Sequence, residues 1–129
     1  MIKAYLVGIS TQYENEDIQI RYRIYKDQEL ICEKLIFQGY KKPLVVSHAA
    51  LLTLLKELKK YMKYEIIIII NDAALNEQIR GTSTTKNMDV QKMANKVREE
   101  LNKFKSSVTI KDVSGNHTEL VKWNDILQF

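Results

Sequence analysis

Asn71 and Asp72 follow directly on the run Ile66-Ile67-Ile68-Ile69-Ile70. In open α/β sheets, ligands and chemistry collect at the carboxyl ends of buried strands, where diverging loops leave a crevice. Asp72 is therefore the first candidate for a functional carboxylate, its plainer role being to cap a helix over residues 73–80. Asp125, in Trp123-Asn124-Asp125-Ile126-Leu127, is a second acid, otherwise read as solvent-facing or salt-bridged on a helix. His117 reads as an exposed loop histidine and His48 as neutral surface in the first turn of a helix. These histidines and the lone Cys32 form no cluster of zinc-ligand type, and Cys32 reads as a buried strand residue. Gly8, Gly39, Gly81 and Gly115 are isolated and build no phosphate-cradling loop.

The cations are more numerous. Lys56, Lys59, Lys60 and Lys63 fall on the polar side of one amphipathic segment, and Lys86, Lys92, Lys96 and Lys103 on that of another. Such rows usually form a solvated face. On adjacent helices they would also make a track for phosphates whose binding falls steeply with salt. Arg21, Arg23 and Tyr25 form a second candidate surface, and Tyr40, Tyr61 and Tyr64 are placed to stack on bases or to close core edges. The net charge of +4 permits a polyanionic partner without demanding one.

The elements that must position these groups can be read from periodicity. The isoleucine run has no alternation and is β-branched throughout, which predicts a strand buried on both faces, in parallel pairing with helices on each side. Residues 2–10 predict a first strand with Ala4, Leu6 and Gly8 opposed to Lys3, Tyr5 and Val7. Residues 18–25 alternate strictly, with Ile18, Ile20, Tyr22 and Ile24 inward. A turn at 26–29 and a strand over 30–38 complete a meander. Ser47 reads as the cap of a helix whose stripe is Leu51, Leu54, Leu55, Leu58 and Met62. A right-handed crossover then sets the isoleucine strand beside the first strand. A short helix over 73–80 closes at Gly81, and Thr85 or Asn87 caps a helix with stripe Val90, Met93, Ala94, Val97, Leu101 and Phe104. A fifth strand over 108–111 and a helix over 120–129, packing Val121 and Trp123 or Leu127, finish the chain. At 129 residues the chain predicts one domain, 1–129, α+β in segregation with an α/β half. One cysteine, no leader and no apolar run of membrane-spanning length predict a reducing compartment, a cytoplasmic location and no membrane partner.

That order, β-β-β-α-β-α-β-α, resembles the ribonuclease H-like superfamily of the ribonuclease HI type. The local stretches that carry the resemblance are Asn71-Asp72-Ala73-Ala74-Leu75, then Gln78-Ile79-Arg80-Gly81, the helix over 96–104, Val113-Ser114-Gly115-Asn116-His117, and Trp123-Asn124-Asp125-Ile126-Leu127. The resemblance implies a five-stranded mixed sheet with the first strand central and helices on both faces. It implies two-metal hydrolysis of the RNA strand of an RNA–DNA hybrid, with carboxylates holding magnesium or manganese. Asp72 and Asp125 match two of the family's metal-binding acids, and His117 matches its mobile loop histidine. Val7 stands where an aspartate precedes the glycine, and Ala50 where the first helix supplies a glutamate. The resemblance thus implies a nuclease-deficient domain that binds hybrid or duplex through Lys56, Lys59, Lys60, Lys63, Lys92 and Lys96. The alternatives are an active enzyme with an atypical metal site, helped by Glu14, Glu16 or Asp17 from the loop after the first strand, and a protein-interaction scaffold, including a homodimer through the third strand's edge.

Overall fold

A computed structural model describes residues 1–129 apart from Gln12, Glu14, Ser83, Thr84, Ser106 and Ser107. Strands β1 (Ile2–Ile9), β2 (Ile18–Lys26), β3 (Glu29–Gln38), β4 (Ile66–Ile70) and β5 (Val108–Asp112) form one sheet in the order β3-β2-β1-β4-β5. β1, β2 and β3 pair antiparallel, while β4 runs parallel to both β1 and β5. Among the described residues four α-helices complete the fold: α1 (Val46–Leu58), α2 (Ala73–Arg80), α3 (Met88–Asn102) and α4 (His117–Ile126). Among the described residues no helix is long and apolar enough to cross a membrane.

The period of two decides which side chain meets which layer. Ile2, Ala4 and Leu6 of β1, Ile18, Ile20, Tyr22 and Ile24 of β2, and Ile66, Ile68 and Ile70 of β4 join α1 and α3 in the larger core. Tyr5, Val7, Ile67 and Ile69 point the other way and pack with Val113, Trp123 and Leu127. The isoleucine strand thus spends both faces on hydrocarbon, as its lack of alternation predicts. Burying one such side chain fully stabilises by about 1.5–3 kcal/mol.

The local signals explain the remaining boundaries. Asp27 and Gln28 both take positive φ (47° and 77°), making the tight two-residue turn whose twist suits a hairpin. Gly81, at φ 73°, ends α2 in the left-handed region that favours glycine. Asn87 caps α3 and Asn116 caps α4, each accepting an amide hydrogen bond three residues on.

Several expectations are corrected. Pro43 opens a 3-10 turn (Pro43–Val45) that feeds straight into α1, so Ser47 lies inside the helix and the Val46 amide donates to the Pro43 carbonyl. Met62 falls beyond α1, half-exposed after a second 3-10 turn at Lys59–Tyr61. The cap at Asn116 starts α4 earlier than residue 120, so His117 is its first residue instead of a loop histidine and Val121 turns outward. His48 is buried (2% exposed), not surface. Cys32 is only half-buried, on the edge strand β3.

Candidate functional site

The crevice at the carboxyl end of the parallel strands is a cavity of about 50 Å³ lined by Leu6, Val7, Gly8, Ser47, Ala50, Ile70, Asn71, Asp72, Leu75 and Trp123. β1 and β4 bring Val7 and Asp72 to one place, and α1 lays Ser47 and Ala50 across the top. A Cβ placed on Gly8 would lie 3.0 Å from the Ala50 Cβ and 3.1 Å from Val46. Only glycine lets the helix settle that close to the strand.

Among the described residues, Asp72 is the one carboxylate lining this cavity. Its Oδ1 accepts from the Leu75 amide at 2.9 Å, the capping role, and its own amide donates to Asp112 Oδ1 at 3.1 Å. Asp112 also accepts from the Ser114 amide (3.1 Å) and the Ser114 hydroxyl (2.7 Å). Both aspartates are therefore engaged in ordering the loops at the strand ends.

The wall opposite α1 is indole. Trp123 Nε1 donates to the Leu6 carbonyl at 3.0 Å, which seats α4 on β1 through a buried bond. Successive helical residues are about 100° apart, so Asp125 lies about 200° from Trp123 around α4. Leu127 returns to the buried side with Trp123, while Asp125 is exposed and does not line the cavity. The structure brings Val7, Ala50 and Asp72 together and turns Asp125 away from them. His117, exposed at the first turn of α4, does not line it either. Among the described residues no group of three or more His, Cys, Asp and Glu side chains is placed to hold a metal ion. Glu16 and Asp17 are exposed outside the cavity, and Glu14 lies outside the described residues.

A second hollow, about 270 Å³, adjoins the first through Ser47, Asp72 and Leu75 and includes His48, Gln78 and Asn87. His48 Nε2 lies 2.6 Å from Gln78 Oε1, and Nδ1 is buried without a partner. Burial pushes the imidazole pKa below its ordinary value, against the hydrogen bond to Gln78 and the charge of Asp72, both of which raise it.

The lysines form an uneven surface. α1 and α3 pack side by side, and the pairs Lys42–Asp89 (3.0 Å) and Lys59–Glu100 (3.7 Å) at their two ends set them running in the same direction. Lys56, Lys59, Lys60 and Lys63 collect at the far end of α1 from the cavity, whereas Lys92 and Lys96 stand in the first half of α3. Lys60 is paired with Glu57 at 2.5 Å. Lys56, Lys63, Lys92 and Lys96 are exposed and carry no ion pair among the described residues. Glu57 itself is buried, accepting from Tyr22 Oη at 3.2 Å and pairing with Lys34. The Lys34 and Lys60 ammoniums hold its carboxyl down at about 2.

The sequence pattern marks Ser47 only as a helix cap, and it marks neither Trp123 as a wall of the site nor Asp112. Ser47 lies one turn before Ala50 and borders both hollows, a position readable from helical spacing once the helix start is known. Asp112 had no signal in its own segment. Only the register Ile70↔Asp112 sets it beside the end of β4.

A mixed sheet in this order, with α1 and α3 on one face and α4 on the other, is an α+β fold of the ribonuclease H-like kind. The chain is ribonuclease H-like by fold. It superimposes on ribonuclease H1 of Halobacterium salinarum NRC-1 with a TM-score of 0.77 at 18% identity, covering 92% of this chain and 89% of that one. For LC11 ribonuclease H1, isolated from compost, the TM-score is 0.80 at 13% identity, covering 98% and 91%. The same enzyme in complex with an RNA/DNA hybrid gives 0.78 at 15% identity, covering 98% and 94%. No protein-family model matches the sequence, and no curated protein does.

Proposed function

We propose that this chain is a single ribonuclease H-like domain that binds RNA–DNA hybrid or duplex through the basic faces of α1 and α3 without efficient cleavage. The observation that carries this reading is the chemistry of the small cavity: one carboxylate, Asp72, against Leu6, Val7, Ala50 and Trp123. Paired divalent cations need several oxygen ligands and compensating negative charge. A centre walled by hydrocarbon and indole, with its single acid already capping a helix, does not fit a pair of magnesium or manganese ions. Binding is supported by the unpaired Lys56, Lys63, Lys92 and Lys96 and by a fold shared with a protein that takes a hybrid. The same reading puts the domain in the cytoplasm.

The test uses a labelled RNA–DNA hybrid. Anisotropy should report binding at low salt that weakens about a hundredfold for a fourfold rise in salt, if roughly four phosphates are engaged. Lys92→Glu with Lys96→Glu should weaken binding and flatten the salt slope. No cleavage should occur with magnesium or manganese at high protein concentration. Metal-dependent cleavage abolished by Asp72→Asn would instead establish an active enzyme with an atypical site. Absence of salt-sensitive binding would refute the nucleic-acid role.

A protein-interaction reading is favoured by one feature, the edge strand β3. Leu35 and Phe37 are 40% and 58% exposed there, and the strand's outer backbone has no neighbour in the sheet. A homodimer through this edge would appear as a doubled mass in light scattering, lost on Phe37→Lys.

A further inference from the structure

A further groove, separate from that site, lies on the opposite face of the sheet from α1 and α3. There α4 packs over the sheet through Trp123, and the amino end of β1 beside the turn between β2 and β3 stays open. The result is a groove of about 450 Å³ lined by Met1, Lys3, Tyr5, Tyr25, Asp27, Gln28, Lys122 and Ile126. Its volume is in the range that encloses a small organic ligand.

The chemistry of the walls narrows the occupant. Tyr5 and Tyr25 meet edge to face, centroids 5.8 Å apart at 84°, so two aromatic rings line the same groove. Ile126 adds an apolar surface one helical turn from Lys122. Electrostatics separates this groove from the rest of the face. Arg23 is bound to Glu33 and lies over the Phe129 ring, and Arg21 donates to Gln19 and to the Leu127 carbonyl. Lys111 is held by Glu119 at 2.7 Å. Lys3 and Lys122 have no such partner among the described residues, and the one acid on the rim, Asp27, is paired with the Met1 amino group at 3.1 Å. Two unpaired ammoniums beside two tyrosines suit a ligand with a planar apolar part and an anionic end.

We infer that this groove is a binding site for a nucleoside monophosphate unit, its base against Tyr25 and its phosphate between Lys3 and Lys122. Stacking on an aromatic ring accepts any base, and ammonium contacts to the phosphate supply the charge match. The unit would be a free nucleotide or the phosphorylated terminal nucleotide of a single strand. The site lies across the sheet from the lysines proposed for hybrid or duplex, so the two readings stand or fall separately.

The experiment is a titration of the full chain with AMP followed by amide and side-chain NMR shifts, repeated with adenosine, inorganic phosphate and a short 5′-phosphorylated DNA strand. Shifts should centre on Lys3, Tyr25 and Lys122, with AMP binding more tightly than adenosine or phosphate alone. Lys122→Glu, at an exposed position, should weaken AMP about tenfold while leaving the fold's spectrum intact, since one charge-assisted contact is replaced by repulsion. Lys92→Glu should leave AMP binding unchanged. A strand that binds no better than AMP identifies the free nucleotide as the ligand, and one that binds better identifies a strand end. No shifts at millimolar AMP, equal binding of adenosine and AMP, or shifts confined to α1 and α3 would each overturn the inference.

Discussion

Replacing Glu57 by glutamine separates stability from binding, because one buried carboxylate serves both. In the folded chain it accepts from Tyr22, contacts Cys32 Sγ at 3.8 Å and neutralises Lys34 and Lys60. Its carboxyl titrates at about 2 against an ordinary value of 4.5. A displacement of that size corresponds to about 3 kcal/mol of stability at neutral pH, an upper figure because both lysines reach into solvent and their pairing is screened. A group whose folded pKa is depressed stabilises fully above its unfolded pKa. This contribution is therefore intact above pH 4.5 and is lost as pH falls towards 2. Glutamine preserves shape and can still accept from Tyr22, so Glu57→Gln should cost about 2 kcal/mol at pH 7, a fall in Tm of ~5–10 °C. Urea unfolding of both chains from neutral pH to pH 2 should show the gap closing through the acid range. The substitution also frees Lys60 on the proposed nucleic-acid face, so hybrid affinity at low salt should rise as stability falls. A gap that persists unchanged at pH 2 would show that packing, not charge, holds Glu57, and unchanged affinity would remove Lys60 from the interface.

Three other outcomes follow from local geometry. Asp72→Ala removes the α2 cap and the only acid of the small cavity, and should cost about 1 kcal/mol in chemical denaturation, whereas Asp72→Asn keeps an acceptor for the Leu75 amide and should cost little. Burial depresses the His48 pKa, so the folded state binds fewer protons than the unfolded one and stability should fall as pH drops below 6.5. His48→Gln should flatten that slope in urea midpoints, well above the pH window in which Glu57 titrates. Gln28→Gly relieves a side chain at φ 77° in the hairpin turn and should raise stability by roughly 0.5–1 kcal/mol, read as a higher denaturation midpoint.

Strand identity and facing were legible because strict alternation in β2 and its absence in β4 each have one physical meaning. Helix starts were less so. Pro43 begins a 3-10 turn that hands over to α1, and Asn116 followed by Glu119 marks the start of α4 more strongly than the later Leu120 does. His48 continues the stripe of Leu51, Leu55 and Leu58 at helical spacing, so its burial was present in the pattern but outweighed by the habit of placing histidine on surfaces. The composition of the cavity was half legible: Val7, Ala50 and Asp72 do meet. The orientation of Asp125 depends on Trp123 reaching the Leu6 carbonyl, a contact between residues 117 positions apart that no local spacing encodes. Asp112 likewise acquires its neighbour only through strand register.

The contact of Gly8 with Ala50 has a consequence for how this molecule could change. Helix and strand touch there backbone to methyl, so a side chain at position 8 would run into Ala50 and Val46 at once. Any residue but glycine at that position would prise α1 from the central strand. Ser47, at the rim one turn before Ala50, is where a charged group could be introduced while the seam stays shut.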